Sequence, residues 1–216
     1  MDEWPQTLVP IRENWTLQGV TISGGNPKAG PPQVTRTDGG GFWVGEQHFV
    51  LTEVSEVKLA RAVEAILDGG LTPMVAWSHE DPFAPEGIAP GLTTHSDGTP
   101  FSDGALYTGG GTGAVTALAA PLRATTLTVD VVAGALEGGE RFSIVHPNKG
   151  RRRYSVKRVF GNEVIIRPPL REAVEAGAEL DFLRVGCVAK LSNPEVFGDL
   201  DPSGVVEMTV RWIEVP

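Results

Sequence analysis

The side chains best suited to metal binding are concentrated in one segment of the sequence. They are His79, Glu80, Asp81, His95, Asp97 and Asp103. Carboxylate oxygens supplied by loops suit hard cations such as Ca²⁺. The spacing, however, matches neither a Ca²⁺-binding loop nor the helical histidine pair of a zinc protease. We therefore interpret these carboxylates as loop caps and predict no metal site.

Other residue patterns associated with catalysis or cofactor binding are incomplete. Nucleophilic catalysis by serine has no local signal, because the sequence contains no Gly-x-Ser-x-Gly turn, and Cys187 lies in an apolar stretch after Gly186. A catalytic triad would therefore have to be assembled from residues distant in the sequence. Glu137 and Glu140 fall in a predicted turn, where we expect both carboxylates to be solvated. The glycine-rich residues 109–113 lack the lysine of a phosphate-binding loop. We therefore predict neither an enzyme nor a bound cofactor.

Five tryptophans raise a different possibility, because exposed indole rings stack on sugars. Four of them lie in predicted strands, where burial is expected: Trp15, Trp43, Trp77 and Trp212. Trp4 lies near the start of the chain, and we expect it to be an anchor at a contact between subunits. An exposed platform of these rings would instead indicate a carbohydrate-binding module, which is the alternative function.

Composition narrows the class of protein further. The net charge of −9 argues against general nucleic-acid binding. The one basic cluster, at residues 149–158, is expected to be a solvated turn or a subunit contact. A single cysteine cannot form an internal disulfide. No signal peptide and no apolar segment of about 18 residues is visible, so we predict no membrane contact and a protein made in the cytoplasm.

The secondary structure predicted from the sequence is mainly β. The 27 glycines and 17 prolines are spread along the chain and favour short strands joined by turns. Helical periodicity is convincing only at residues 55–67, where apolar residues recur on one face. Strands are predicted before and after this helix, so residues 1–77 make a β-β-β-α-β unit.

The predicted domain organisation has an insertion. Residues 189–216 end in a strongly alternating strand, which we expect to join residues 1–77 in a β-sandwich-like sheet with one packed helix. Residues 125–188 contain five short alternating strands and predict an inserted small β-barrel. Residues 78–124 form a long loop, which we expect to be an arm lying on a neighbouring subunit, or else a loop folded over its own subunit.

The order of these features resembles tail-tip proteins of long-tailed bacteriophages and phage-like particles, most closely those of the distal-tail type. The resemblance spans most of the chain, although its motifs are short and diffuse. In the first part of the chain it lies in a Trp-Pro opening, the strand at residues 15–22, a Ser-Gly-Gly-Asn-Pro-x-x-Gly loop before Gln33, a Gly-rich turn before Trp43, and the helix. In the second part it lies in the inserted barrel, which contains Ile166-Arg167-Pro168-Pro169-Leu170-Arg171-Glu172-Ala173 followed by Gly177-Ala178.

The resemblance implies a virion structural protein related to tail-tube subunits. Such proteins form a ring, commonly of six copies, which connects the tail tube to the hub or baseplate and encloses a lumen for DNA in transit. The implied partners are other copies of the chain, the tail-tube protein, the hub protein and the tape-measure protein. An acidic lumen would not retard DNA. The chain lacks a clear C-terminal carbohydrate-binding-like domain, which weakens the alternative of a sugar-binding role at the host surface.

Overall fold

A computed structural model describes residues 2–25, 29–30, 34–37, 39–79, 83–85, 88, 92–93, 107–108, 115–132, 134–199 and 205–216. The chain divides into two compact units, one of residues 1–77 and 187–216 and the other of residues 78–186. Mainly β structure with one α-helix and a barrel-like second sheet confirms the predicted fold class. None of the described residues belongs to a helix long and apolar enough to cross a bilayer.

The first unit is built on a five-stranded sheet of β1 (Arg12–Gln18), β4 (Phe42–Leu51), β5 (Met74–Trp77), β14 (Gly186–Leu191) and β15 (Val206–Glu214). The order of the strands is β1-β4-β15-β14-β5. β4 pairs antiparallel with β1 on one side and with β15 on the other. In β15 nearly every second residue is buried, because alternate side chains point to opposite faces of a sheet. The C-terminal strand therefore completes the sheet that the N-terminal strands begin.

Helix α1 (Val54–Leu67) contributes one apolar face to the core of the first unit. Its buried residues are Val57, Ala60, Val63 and Leu67, which is the helical spacing seen in the sequence. The backbone N–H of Glu53 donates to the Glu56 carboxylate at 3.1 Å and so caps the first turn. Asp68, in the left-handed conformation, ends the helix, and a 3₁₀ turn at Asp68–Gly70 follows.

The second unit is a six-stranded sheet that nearly closes into a barrel. Its strands are β8 (Val115–Ala117), β9 (Thr126–Val131), β10 (Arg141–His146), β11 (Gly150–Phe160), β12 (Glu163–Arg167) and β13 (Ala178–Glu179). Their order in the sheet is β10-β11-β12-β9-β8-β13. Ser143 of β10 and Asp181, just after β13, form an antiparallel bridge in which each backbone N–H donates to the other carbonyl. This bridge joins the two ends of the sheet.

The long loop predicted at residues 78–124 is not entirely outside the barrel. Val115 and Ala117 of β8 are fully buried in the core of the second unit, so the expectation of an arm is wrong for residues 115–117. A hydrophobic alternation of only three residues was too short to predict this strand. Within the rest of the segment, the short strands β6 (Leu92–Thr93) and β7 (Tyr107–Thr108) pair antiparallel. Most of the predicted arm lies outside the described residues.

Two smaller elements complete the first unit. Strands β2 (Thr21–Ser23) and β3 (Val34–Arg36) form a two-stranded antiparallel ribbon, and a 3₁₀ turn spans Pro194–Asp199. Gly41, at φ +87°, lies where the ribbon meets β4. A Cβ atom on Gly41 would lie 2.2 Å from the carbonyl oxygen of Gln18, so only glycine fits there without movement of the backbone.

Candidate functional site

The predicted potential metal ligands fall mostly outside the described residues. These are Glu80, Asp81, His95, Asp97 and Asp103. His79 is described and is exposed. Among the described residues, no three His, Cys, Asp or Glu side chains lie close enough together to hold a metal ion. The glycine-rich residues 109–113 also lie outside the described part of the chain.

The turn carboxylates of the barrel differ from the prediction in one respect. Glu137 is exposed as expected, but Glu140 is buried, so the expectation that both would be solvated is wrong. The Glu140 carboxylate accepts hydrogen bonds from the backbone N–H groups of Glu137, at 2.6 Å, and Gly138, at 2.7 Å. Glu140 therefore stabilises the turn, because its charge is matched by backbone donors.

The basic cluster at residues 149–158 is largely a barrel strand and not a solvated turn. Arg152 and Arg153 on β11 are buried. The Arg151 guanidinium donates to the Asp181 carboxylate at 2.8 Å and to the carbonyl of Arg184 at 2.9 Å. The three consecutive arginines form one charged run in the sequence, whereas the strand directs their side chains to different surroundings.

All five tryptophans are buried in the core of the first unit. Trp4, expected at a subunit contact, is only 2% exposed; its indole N–H donates to the carbonyl of Leu8 and its ring packs edge-on against Trp212 at 5.4 Å. The expectation of Trp4 as an intersubunit anchor is therefore wrong for this fold. Burial of the indole rings also removes the platform on which the carbohydrate-binding alternative depended.

A polar network centred on Gln47 links four strands inside this core. The Gln47 amide donates to the carbonyl of Trp77 at 2.7 Å and to the Glu13 carboxylate at 3.0 Å. Its amide oxygen accepts the indole N–H of Trp212 at 2.9 Å. These partners lie on β5, β1 and β15, so Gln47 fixes the relative register of strands that meet only in the folded chain.

The barrel contains a second buried polar cluster, whose residues were not among those predicted from the sequence. His146 is 2% exposed, and its Nε2 lies 2.8 Å from the Tyr154 hydroxyl. That hydroxyl also accepts the backbone N–H of Arg171. The Glu172 carboxylate accepts the backbone N–H groups of Asn148 and Lys149. His146 alternates with Phe142 and Ile144 along β10, and this alternation was the available signal for its burial.

Burial makes His146 a neutral side chain at physiological pH. Removal from water lowers the pKa of the imidazole to about 4; the charge of Glu172 opposes this shift, and that of Arg152 adds to it. The Nδ1 atom of His146 has no hydrogen-bond partner among the described residues. The cluster therefore ties the β10–β11 hairpin to residues 171–172 and resembles a structural network rather than a reactive one.

In the described part of the chain, strand β1 is the open edge of the first sheet. It is the outermost strand in the sheet order, beside β4. The backbone N–H of Trp43 on β4 donates to the Glu214 carboxylate of β15, so it points away from β1. Leu17 is opposite Trp43 in the register. Leu17 and Trp43 therefore form a non-hydrogen-bonded pair, in which the backbone groups of the two residues point away from each other. The backbone N–H and C=O of Leu17 thus point outward, to the open side of β1.

The opposite edge of this sheet is covered by the chain itself. Residues 2–4 run beside β5, the other outermost strand. The backbone N–H of Trp4 donates to the carbonyl of Val75, and the N–H of Val75 donates to the carbonyl of Asp2. Trp4, buried in the core, holds this segment in place. Among the described residues the two edges of the sheet thus differ, because residues 2–4 pair with β5 and no segment pairs with the outer side of β1.

The outer face of the sheet near the open edge is polar. Residues of β1, β4 and β15 surround a shallow depression of about 330 Å³, which is lined by Arg12, Glu13, Asn14, Glu46, His48 and Thr209. Arg211 donates to the Glu46 carboxylate at 2.9 Å. His48 Nδ1 lies 3.0 Å from the Thr209 hydroxyl, and its Nε2 lies 3.9 Å from the Glu207 carboxylate.

The hydroxyl, imidazole and carboxylate on this face do not form an active site. Glu207 is too far from His48 for a hydrogen bond, and its side chain is 69% exposed. A solvated carboxylate orients an imidazole poorly, and catalysis of this kind needs a site from which water is excluded. The chemistry available at this face is therefore recognition by hydrogen bonds and charge.

The β2–β3 ribbon continues from this edge and is exposed along its whole length. Ile22 is 62% exposed and Val34 is 61% exposed. The ribbon begins where the Thr37 hydroxyl donates to the carbonyl of Gly19 at 2.6 Å. An isolated pair of strands is marginally stable in water, so exposed aliphatic residues on both strands suit contact with another surface.

Searches of protein-family models and of curated proteins found no match to this chain.

Proposed function

We propose that this protein is a structural subunit of the tail tip of a long-tailed bacteriophage or phage-like particle. In this proposal, copies of the chain form a ring, with six as the expected number, between the tail tube and the hub. The other partners are the tail-tube, hub and tape-measure proteins, and DNA passes through the lumen only in transit. The protein is made in the host cytoplasm and resides in the virion.

The observation that carries the assembly part of this proposal is the open edge of β1. The strand has seven residues and no proline, and it directs the backbone groups of Leu17 outward. Folded monomers usually protect such an edge, as residues 2–4 do for β5 on the other side of the sheet. Addition of a strand from a second copy would satisfy the outward groups through main-chain hydrogen bonds.

The β2–β3 ribbon supports assembly independently of the edge. Ile22 and Val34 lie on opposite faces of the ribbon, since Ile22 is opposite Thr35 and Val34 is opposite Ser23. Contact of either face with a neighbouring copy would bury one of these exposed side chains. The placement of the ring in a phage tail is supported by the sequence resemblance, whereas the capacity for self-assembly is supported by the edge and the ribbon. These two parts of the proposal can be tested separately.

The test of self-assembly is the solution mass of the purified protein, measured by light scattering over a range of concentrations. We expect a closed oligomer of about six copies. Leu17→Pro removes an outward-pointing N–H and should give a monomer. Leu17→Ala loses similar packing but keeps the N–H, and should assemble like the unchanged protein. Tryptophan fluorescence checks that the first unit remains folded in both variants, since all five tryptophans lie there.

Two results would overturn the proposed assembly through β1. One is a monomeric unchanged protein at every concentration. The other is an oligomer that survives Leu17→Pro with the first unit folded. The phage part is tested by addition of purified protein to tail tubes and electron microscopy of the tube ends. A ring at one end is expected, and bare ends beside oligomeric protein would reject the tail-tip position.

A further inference from the structure

We infer that β1 pairs antiparallel with β1 of a second copy of this chain, with Trp15 opposite Trp15 of that copy. The inference rests on the self-assembly part of the proposed function, because it identifies the strand that is added to the open edge. Strand β1 has seven residues, Arg12–Gln18, and Trp15 is its midpoint. No described segment pairs with the outer side of this strand.

The β1 strand of a second copy has the properties that strand addition requires. The incoming strand must have an open side and enough residues to form several main-chain hydrogen bonds. Residues 2–4 cover the other end of the five-stranded sheet, and the Ser143–Asp181 bridge joins the two ends of the barrel sheet. The ribbon strands β2 and β3 have only three residues each. Among the described residues, β1 is therefore the longest strand with an open side.

The backbone directions along β1 suit pairing with an identical strand. Leu17 directs its N–H and C=O to the open side, and because these directions alternate along a strand, those of Glu13 and Trp15 point to the same side. With Trp15 at the centre, Leu17 lies opposite Glu13 of the second copy. Each residue with outward groups thus meets another such residue, and the pairs can exchange main-chain hydrogen bonds. A shift by one residue would place outward groups opposite inward ones.

The side chain of Trp15 leaves the open side of β1 clear. Its ring lies over Gly45 of β4, since a Cβ atom on Gly45 would be 2.6 Å from the ring. Strand β4 is the neighbour on the side away from the open edge. The two backbones can therefore approach each other at the midpoint of β1 without displacing the ring.

The distribution of charge along β1 favours the antiparallel direction. Arg12 and Glu13 are the only charged residues of the strand. In the antiparallel pair, Arg12 lies opposite Gln18 of the second copy. Asn14 lies opposite Thr16, so side chains that can form hydrogen bonds meet on the outer face and like charges do not. A parallel pair in register would instead place Arg12 beside Arg12 and Glu13 beside Glu13, which is destabilising.

The pair closes with two copies, because the same edge is used on both sides of the contact. It forms one continuous sheet to which each copy contributes five strands. An oligomer of about six copies would therefore be built from such pairs, joined by contacts outside β1.

Formation of a disulfide between two variants tests the partner strand and the register together. Asn14 and Thr16 are exposed on β1, so their substitution should not disturb the core. In the inferred pair, Asn14 and Thr16 of the second copy form a non-hydrogen-bonded pair with Cα atoms about 4.5 Å apart, which a disulfide can bridge. Cys187 is buried and does not compete.

The experiment mixes equal amounts of Asn14→Cys and Thr16→Cys proteins, which are then oxidised and examined by non-reducing electrophoresis and peptide mass spectrometry. About half of the pairs contain one copy of each variant. These pairs should link position 14 to position 16. Absence of this link in protein that light scattering shows to be oligomeric would overturn the inference.

Each variant alone is the matched control for the register. Identical positions lie on a diagonal of the ladder, about 7–8 Å apart. A disulfide spans this distance poorly, so either variant alone should give at least about fivefold less linked product than the mixture. Efficient linking within one variant would mean a register shifted by two residues and would reject Trp15 as the centre. A mixture of Thr16→Cys with Lys58→Cys, on the exposed side of α1, measures random linking and should resemble the single variants.

Leu17→Pro, combined with each cysteine substitution, tests whether main-chain hydrogen bonds hold the pair. Linking should fall to the level of the single variants, whereas the same mixture carrying Leu17→Ala should link like the original one. Linking that survives Leu17→Pro, while tryptophan fluorescence shows a folded first unit, would contradict pairing through the backbone of β1.

Failure of this inference and failure of the proposed function give different results. If the unchanged protein is oligomeric and Leu17→Pro dissociates it, but the mixture does not link, β1 is the interface and its partner is another strand. If the unchanged protein is monomeric at every concentration, both the proposed self-assembly and the pairing of β1 are rejected. If the mixture links but no ring forms on tail tubes, the pairing stands and the tail-tip position is rejected.

Discussion

His146 should make the stability of the second unit fall as the pH falls from neutrality. In the unfolded chain this imidazole binds a proton near its ordinary pKa of 6.5, whereas burial in the barrel lowers the pKa to about 4. Between these values the unfolded state binds more protons than the folded state. The free energy of unfolding therefore decreases as the pH falls through this window.

The size of this effect follows from the two pKa values. Each pH unit inside the window costs about 1.4 kcal/mol, so His146 should remove about 2.5 kcal/mol between pH 7 and pH 4.5. His146→Gln abolishes the titration but keeps a side chain that can hydrogen-bond to the Tyr154 hydroxyl. The variant should lose about 2.5 kcal/mol less than the unchanged protein over the same pH range.

The stability of the barrel is measured by hydrogen exchange at increasing urea concentrations, followed in peptides from β10 and β11. The exchange rates are corrected for the intrinsic rates at each pH. Tryptophan fluorescence reports the first unit, which contains all five tryptophans, and should not distinguish His146→Gln from the unchanged protein. Tyr154→Phe is a second control: it should lower barrel stability at both pH values but retain the pH-dependent loss. Equal losses in the unchanged protein and in His146→Gln would refute the reasoning.

Three further substitutions test contacts that define the fold. Gln47→Ala removes the side-chain hydrogen bonds to Trp77, Glu13 and Trp212 on three strands and should cost about 3 kcal/mol in urea unfolding followed by tryptophan fluorescence, whereas exposed Gln18→Ala should cost under about 0.5 kcal/mol; similar costs would contradict a central role for Gln47. Asp181→Ala removes the ion pair at the barrel closure and should cost about 2 kcal/mol, with faster exchange at the bridge amides; unchanged exchange there would contradict this role. Gly41→Ala forces both a strained φ and a backbone clash and should cost more than about 2 kcal/mol, whereas a Cβ on Gly39 meets no atom within 4 Å, so Gly39→Ala is the control. Equal thermal stability of the two glycine variants would count against the close approach at Gly41.

Local patterns in the sequence were sufficient to predict several elements. The helix predicted at residues 55–67 begins one residue earlier in the structure, at Val54. The Gly161-Asn162 pair is typical of a tight hairpin, and it separates β11 from β12. These elements depend on periodicity and turn chemistry, which are properties of neighbouring residues. The sequence could therefore determine the mainly β class and the position of the helix.

The burial of individual side chains depended on the tertiary structure. Trp4, near the start of the chain, resembles an exposed anchor in the sequence, yet residues 2–4 pair with β5 and place its ring in the core. Arg153 belongs to a basic run but lies on a strand whose surroundings bury it completely. Both outcomes depend on partners far away in the sequence, which a local pattern does not identify.

The open edge of β1 was also decided by the tertiary structure. Alternation in the sequence shows which residues share a face of a strand, but it does not show which strand is outermost. That position follows from pairing β4 with both β1 and the C-terminal β15, and from covering β5 with residues 2–4. The sequence by itself determined several of the strands, whereas long-range pairing determined which of them is left open to a neighbour.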